Sequence, residues 1–378
     1  MESQRQEQYF DMKEKVLLVS SGGLKKSGVP SVLMTIVQGL NDRYVFDILV
    51  HTDEEGYFDK QFLSYGGKIF RFPKKHFSFK PLDRLYELLR PMHLNRVTKK
   101  LIRENGPYKV IHCNNDFDAS GCVKAAKDEG VPVRICHTHK TWQKDSEMGT
   151  LTRLYRASCR KALTEAATAL IGCSASANDS TFGPDSNAQV VFNPYDEKRF
   201  TPSSPLKKVS GLNLIQVGYF NKIKNQLFTL EVLRELKKTG SDFHLTFIGD
   251  RSGSYGEKVE KTISEYELQD QITLLPADAD IPKAMGDSNI LLLPSVNEGF
   301  GIVLIEAQAM GLHCIASDTV PRETDRGGVV FLPVPDGAKV WADLIRSDKS
   351  LTEKKIQDCS TFSTESFIDS IERLYSQV

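Results

Sequence analysis

Residues 294–311 read Pro-Ser-Val-Asn-Glu-Gly-Phe-Gly-Ile-Val-Leu-Ile-Glu-Ala-Gln-Ala-Met-Gly, and their pattern decides the fold. Just before them, Asn289-Ile-Leu-Leu-Leu-Pro294 is a short apolar run of β type closed by a proline, as in a buried strand. After Gly301 the apolar positions fall at Ile302, Ile305, Ala309 and Met310, which is a helical spacing, and Gly311 suits the C-terminal cap. The unit is strand, glycine-containing loop, helix. Such a turn lets backbone approach an anion and points a helix N-terminus at it, the arrangement that binds phosphate. Glu298 lies before the helix and Glu306 a turn inside it. A carboxylate beside a phosphate site does not bind the phosphate; it is suited to accepting hydrogen bonds from the hydroxyls of a ribose or a sugar.

Working outward, the same alternation recurs. Lys15-Val-Leu-Leu-Val-Ser20 predicts a first strand, Ser21-Gly-Gly-Leu-Lys-Lys-Ser-Gly28 a glycine-rich loop, and Val32, Leu33, Ile36, Val37 and Leu40 a helix. Further strands are expected at 44–51, 109–113, 133–136 and 170–173. A proline-rich break spans about 182–206, after which strands at 212–218, 244–249 and 272–275 and a helix at 226–238 restart the pattern. Alternating β and α elements imply a parallel sheet with ligands at the C-terminal ends of its strands. The chain thus divides into two Rossmann-like halves, 1–195 and 206–360. The final segment, about 361–378, is expected to be helical through Phe367, Ile368, Ile371 and Leu374.

Composition agrees with two α/β domains. The 378 residues are 40% hydrophobic and 26% charged, as in a globular protein. No apolar run approaches the roughly eighteen residues that span a bilayer, and the polar opening argues against a secretory leader. Seven scattered cysteines without C-x-x-C pairs read as reduced thiols, not a disulfide frame or zinc site. The zero net charge hides an asymmetry: residues 1–200 carry +6 and 201–378 carry −6. Between 68 and 103 eleven Lys and Arg meet two acidic residues, interleaved with Phe70, Phe72, Phe77, Phe79 and Tyr86. This stretch suits an anionic membrane surface better than nucleic acid; the alternative is a solvated helix face over core aromatics.

Segment 294–311 resembles the signature of retaining glycosyltransferases of family 4, P-S-x-x-E-G-F-G…E-A-x-A-x-G. The resemblance extends over most of the chain. Val191-Phe-Asn-Pro-Tyr-Asp196…Phe200-Thr-Pro202 is similar to the family's V-x-N-G-x-D…F-x-P, with Pro194 in place of glycine. Val217-Gly-Tyr-Phe-Asn-Lys-Ile-Lys-Asn225 is similar to V-G-R-F…K-N. The resemblance implies the GT-B architecture, two Rossmann-like domains facing across a cleft, with the linker as hinge and the C-terminal helix packed back on the first domain.

It also implies site residues. Lys224 and the amides of Gly299, Phe300, Gly301, Ile302 and Val303 would stabilise the donor diphosphate, Glu298 would bind the donor sugar and Glu306 the ribose. Tyr219 stands where the family has an arginine, so part of the leaving-group charge must be met elsewhere, with Lys222, Lys25, Lys26 and Arg251 as candidates. Gly22 and Gly23 match the family's first β–α loop. His137, read as the first residue after strand 133–136, is the expected active-site histidine, ahead of His139 and His112. Asp278-Ala-Asp280 could be a metal-binding D-x-D, but Asp280 as helix N-cap fits better, so no metal and no cofactor are expected.

The substrate would be a nucleotide sugar, UDP-sugar favoured over GDP-sugar, and the transferred group a hexose or N-acetylhexosamine. The acceptor would be a glycan or lipid-linked molecule, met by a cytoplasmic enzyme peripheral to the inner membrane face. A sugar-nucleotide epimerase of the same fold and a non-catalytic sugar-nucleotide-binding protein are the alternatives.

Overall fold

The computed structural model describes residues 13–203 and 205–377. The opening twelve residues, which carry most of the argument against a leader, lie outside this range, as does Val378 at the end of the expected C-terminal helix. The described chain forms two compact units, one running up to Asn193 and resuming at Glu365, the other Pro194–Thr364.

The first unit carries strands β1 (Glu14–Ser20), β2 (Tyr44–Val50), β3 (Ile69–Arg71), β4 (Val110–Asn114), β5 (Val133–Thr138), β6 (Ala169–Gly172) and β7 (Gln189–Val190). Between them run helices α1 (Gly28–Leu40), α2 (Asp59–Ser64), α3 (Lys80–Asn105), α4 (Ala119–Asp128), α5 (Thr150–Ala166) and α6 (Ala175–Phe182). The sheet is parallel in the order β3-β2-β1-β4-β5-β6-β7. Strand alternation explains its uninterrupted apolar runs: Val16 and Leu18 face one core, Leu17 and Val19 the other, and helices cover both sides.

The second unit repeats the plan. Its elements are β8 (Leu212–Val217), α7 (Gln226–Lys238), β9 (Phe243–Ile248), α8 (Ser254–Glu265), β10 (Ile272–Leu275), α9 (Ile281–Gly286), β11 (Ile290–Leu293), α10 (Ile302–Ala309), β12 (His313–Ser317), β13 (Val329–Leu332) and α11 (Ala338–Ser347). The parallel order is β10-β9-β8-β11-β12-β13. In both sheets the strand order reverses direction once, between β1 and β4 and between β8 and β11. Ligands of such sheets sit beyond the strand ends at that reversal.

The last helix, α12 (Thr364–Tyr375), belongs to the first unit. Phe367, Ile371, Leu374 and Tyr375 join the core that holds α1. Gly39 of α1 permits the approach, because a Cβ there would meet Ile368 Cδ1 at 2.6 Å. The break expected over 182–206 is narrower in fact. Strand β7 still pairs with β6, whereas Tyr195 N–H donates to the Phe362 carbonyl at 3.0 Å and Phe200 is buried beside Leu304. Residues 194–205 therefore belong to the second unit, and its start lies before the expected 206.

Candidate active site

The second unit's site forms where its strand order reverses. The loop after β8 holds Tyr219 and Lys224; the loop after β11 holds Glu298. Two hydrogen bonds tie the loops together: Val296 N–H donates to the Ile223 carbonyl at 2.9 Å and Asn225 Nδ2 to the Pro294 carbonyl at 3.3 Å. Residues 74 positions apart are thereby brought into direct contact, the Lys224 ammonium against the Glu298 carboxylate. Ser295 Oγ donates to the same carboxylate oxygen at 2.8 Å. From the end of β12, Ser317 Oγ donates to the Ser295 carbonyl, and from just beyond the strand Thr319 Oγ1 donates to the same oxygen at 2.8 Å.

Several residues that hold Lys224 were not singled out from the sequence. Asn221 Oδ1 accepts the Ile223 and Lys224 amides, each at 2.9 Å. Gln216, fully enclosed in β8, donates to the Lys224 carbonyl at 2.7 Å and accepts from Thr229 Oγ1 at 2.7 Å. Its signal was legible, since a glutamine between Ile215 and Val217 of a strand needs a partner. Buried Gln226 donates to the Tyr219 carbonyl at 3.0 Å, leaving the phenol 46% exposed.

Gly301 caps α10 with φ +88°, a conformation glycine adopts without strain. The first intrahelical amide bond runs from Leu304 to the Gly301 carbonyl, so the Ile302 and Val303 amides stand at the head of the helix. Phe300 and Val303 are buried, Phe300 against Phe362, so a ligand would meet their backbone and not their side chains. Glu306 lies one turn into α10. Burial pushes its carboxyl up to about 7, opposed by Arg199 and Lys224 and assisted by Asp196. Lys224 thus touches one signature glutamate and acts electrostatically on the other.

Of the candidate substitutes for the missing arginine, Arg251 is drawn toward the outer strands by Glu260 (3.1 Å) and the Leu275 carbonyl (3.3 Å). Lys222 is exposed in the same loop as Lys224. In the first unit, Lys25 pairs with Glu54 at 2.7 Å and Lys26 lies over the Tyr57 ring. Asp280 caps α9, its carboxylate accepting the Lys283 amide at 3.1 Å.

At the first unit's reversal point, Gly22 follows β1 with open space where a Cβ would be, whereas a Cβ on Gly23 would meet Thr52 Cγ2 at 2.8 Å. The histidine expectation requires correction. Strand β5 runs to Thr138, so His137 lies inside it and His139 is the first residue beyond. The His112 and His137 rings are fully enclosed, 3.2 Å apart between His112 Nε2 and His137 Nδ1, and His112 Nδ1 meets the Tyr375 hydroxyl at 2.9 Å. Burial pushes His112 down to about 3 and His137 well below its ordinary value. His137 Nε2 has no partner among the described residues.

His139 is half-buried, its Nε2 2.8 Å from Asn114 Oδ1 and its Nδ1 3.1 Å from the Asn193 side chain. Asn114 donates its Nδ2 to the His112 carbonyl, which fixes its oxygen toward His139, so Nε2 carries the proton. Burial pushes His139 down to about 4, so the ring is neutral near pH 7. By position and access, His139 is the histidine of this edge that a ligand can reach.

Such twin parallel sheets define the GT-B class of fold. A solved structure of HepE from Anabaena in complex with UDP superposes with a TM-score of 0.73 at 16% identity, covering 97% of this chain and 100% of that one. Sucrose-phosphate synthase from Thermosynechococcus elongatus superposes at 0.72 with 18% identity, covering 97% and 99%. The family model described as glycosyl transferases group 1 matches residues 197–326. The Bacillus subtilis (strain 168) protein named as the glycosyltransferase EpsF is 30% identical over 348 residues, 88% of this chain and 87% of that protein. CapH of Staphylococcus aureus, a capsular polysaccharide biosynthesis glycosyltransferase, is 24% identical over 93% of this chain and 96% of its own. The chain belongs to the group 1 glycosyl transferases and is a glycosyltransferase.

Proposed function

We propose that this enzyme moves a hexosyl or N-acetylhexosaminyl group from a UDP-sugar to a glycan or lipid-linked acceptor, with retention of anomeric configuration, in cell-surface polysaccharide synthesis. The observation that carries the reading is the Lys224–Glu298 contact beside the head of α10, with Glu306 one turn further on. The helix end and Lys224 suit a diphosphate; the two carboxylates suit hydroxyls on either side of it. Donor binding would draw Lys224 to the phosphate and release Glu298 to the sugar. As the diphosphate leaves, the ammonium and the Ile302 and Val303 amides stabilise its developing charge. Lys224, Glu298 and a first-unit histidine are the groups assigned to the reaction, with His139 replacing His137.

Related proteins favour this substrate class: HepE was solved with UDP and glucose, and EpsF and CapH are named as glycosyltransferases, CapH for capsular polysaccharide. The cation-rich stretch 68–103 fits work at an anionic membrane face on the cytoplasmic side. A thermal-shift screen against UDP-, GDP- and dTDP-sugars tests the donor, since specific binding raises the midpoint by mass action. Stabilisation by GDP-sugars alone would overturn the UDP assignment. Consumption of the donor without any acceptor would point to an epimerase.

A further inference from the structure

The structure sorts the cations and apolar residues of 68–103 into two groups. Arg71, Lys74, Arg90, Lys99 and Arg103 pair with Asp59, Glu87, Asp118, Asp128 and Glu129. Phe70 and Phe72 pack against the core and Phe77 lies edge-on to Tyr86. In contrast, Lys75, Lys80, Arg84 and Arg96 are exposed and make no ion pair among the described residues.

Helix α3 has an unusual distribution of burial. Before Arg90 none of its residues is buried, and its inner face begins with Arg90, Leu94, Thr98, Leu101 and Ile102. Leu82, Leu85, Leu89 and Met92, spaced by three and four, share the opposite face, with Phe79 just before the helix. These five side chains are 39 to 68% exposed. Leu151 and Leu154, at the start of α5, are exposed as well. A groove of about 410 Å³ lined by Lys80, Pro81, Arg84, Leu85, Leu88 and Leu151 joins the two helices. Buried Arg90 anchors the helix from beneath, through Asp118 at 2.7 Å and His51 at 2.6 Å. An apolar stripe turned away from the core, edged by uncompensated cations, is a surface built to be covered.

We propose that this face seats on an anionic lipid bilayer, the leucines, Met92 and Phe79 entering the headgroup–acyl boundary while Lys75, Lys80, Arg84 and Arg96 meet lipid phosphates. A bilayer supplies both an apolar layer and a negative surface. Nucleic acid supplies phosphates but no apolar layer for leucines. A second copy docked through the same face would bring like charges together. The assignment rests on the membrane-side role proposed above and identifies which surface makes the contact.

Flotation with vesicles of phosphatidylglycerol and phosphatidylcholine, against phosphatidylcholine alone, tests it. The parent should bind the anionic vesicles at least roughly tenfold better, and less as salt rises. The variants L85S/L89S/M92S and R84E/R96E should each lose binding, the charge reversal by roughly thirtyfold or more. K261E/K339E, on exposed cations of the second unit, should bind as the parent does. Equal binding to neutral vesicles overturns the proposal, as does undiminished binding by the leucine variant. So does a lipid-free dimer that dissociates in that variant, or RNA binding that outcompetes vesicles and ignores the leucines. Every variant should keep the parent's unfolding midpoint and its nucleotide-sugar thermal shift. Failure of that shift in the parent would count against the donor reading, separately from vesicle binding.

Discussion

The two reversal points of strand order answer the same topological problem with opposite electrostatics. Beyond β8 and β11, the Lys224 ammonium and the Glu298 carboxylate meet on loops that leave the sheet. At β4 and β5, His112 and His137 are enclosed within the strands and held neutral, and half-buried His139 is neutral too. Charge is tolerated where a loop leaves the sheet and water or ligand can solvate it; inside a strand the same cost is avoided by giving up the proton. In the proposed reaction the second unit's edge would stabilise the developing charge, and the histidines of the first would present uncharged hydrogen-bond partners.

The contrast can be broken most sharply at Lys224. Lys224→Ala and Glu298→Ala should each lower kcat by roughly 10²- to 10³-fold in acceptor-dependent turnover. The double variant should lose much less than the product of the two, because the groups act on each other. Strict multiplication would show the contact to be incidental. Next, His112→Ala should cost about 2–4 kcal/mol in denaturant unfolding, since it leaves Tyr375 and His137 without a partner and opens a cavity. His139→Ala should lower turnover more than it lowers stability; the reverse pattern would return the active-site assignment to the buried pair.

Acid should separate the units. His112 and His139 have folded values of about 3 and about 4, below the unfolded value of 6.5. Their contribution is complete above pH 6.5 and declines as pH falls toward those values, by up to ~1.4 kcal/mol per pH unit for each. Unfolding monitored against pH should show this slope, and His112→Asn should reduce it. The pKa shift runs the other way at Glu306. Its carboxyl is raised to about 7, so the ionised form that the proposed ribose contact requires appears only as pH rises through that value. Donor affinity should strengthen there by up to about tenfold per unit, and Glu306→Gln should flatten the profile. Smallest, Tyr219→Arg should raise kcat/KM by a few-fold, restoring charge beside the diphosphate; no change would mean that another cation already serves.

Much of this was legible in residues. The strand–loop–helix at 289–311, the restart after the proline-rich break and the Asp280 cap all appear where local pattern placed them. Local pattern works for these because turn chemistry and apolar period are properties of a few adjacent residues. It misplaced the end of β5 by two residues: whether the strand ends at Cys136 or Thr138 is set by pairing with β6, which runs through His137 and Thr138. It also treated 68–103 as one basic, aromatic patch, whereas ion pairs with Asp59, Asp118, Asp128 and Glu129 silence four of its eleven cations.

By itself, then, the sequence determined two parallel α/β units and the strand–loop–helix that carries Glu298 and Glu306. Each is written in contiguous stretches whose periodicity and side-chain chemistry act over a few residues. Tertiary structure alone decided that Lys224 touches Glu298, that Tyr375 closes on His112, that residues 194–205 belong with the second unit and that the leucines of α3 face outward. Those outcomes depend on which distant segments meet, and burial, pairing and pKa follow from the meeting.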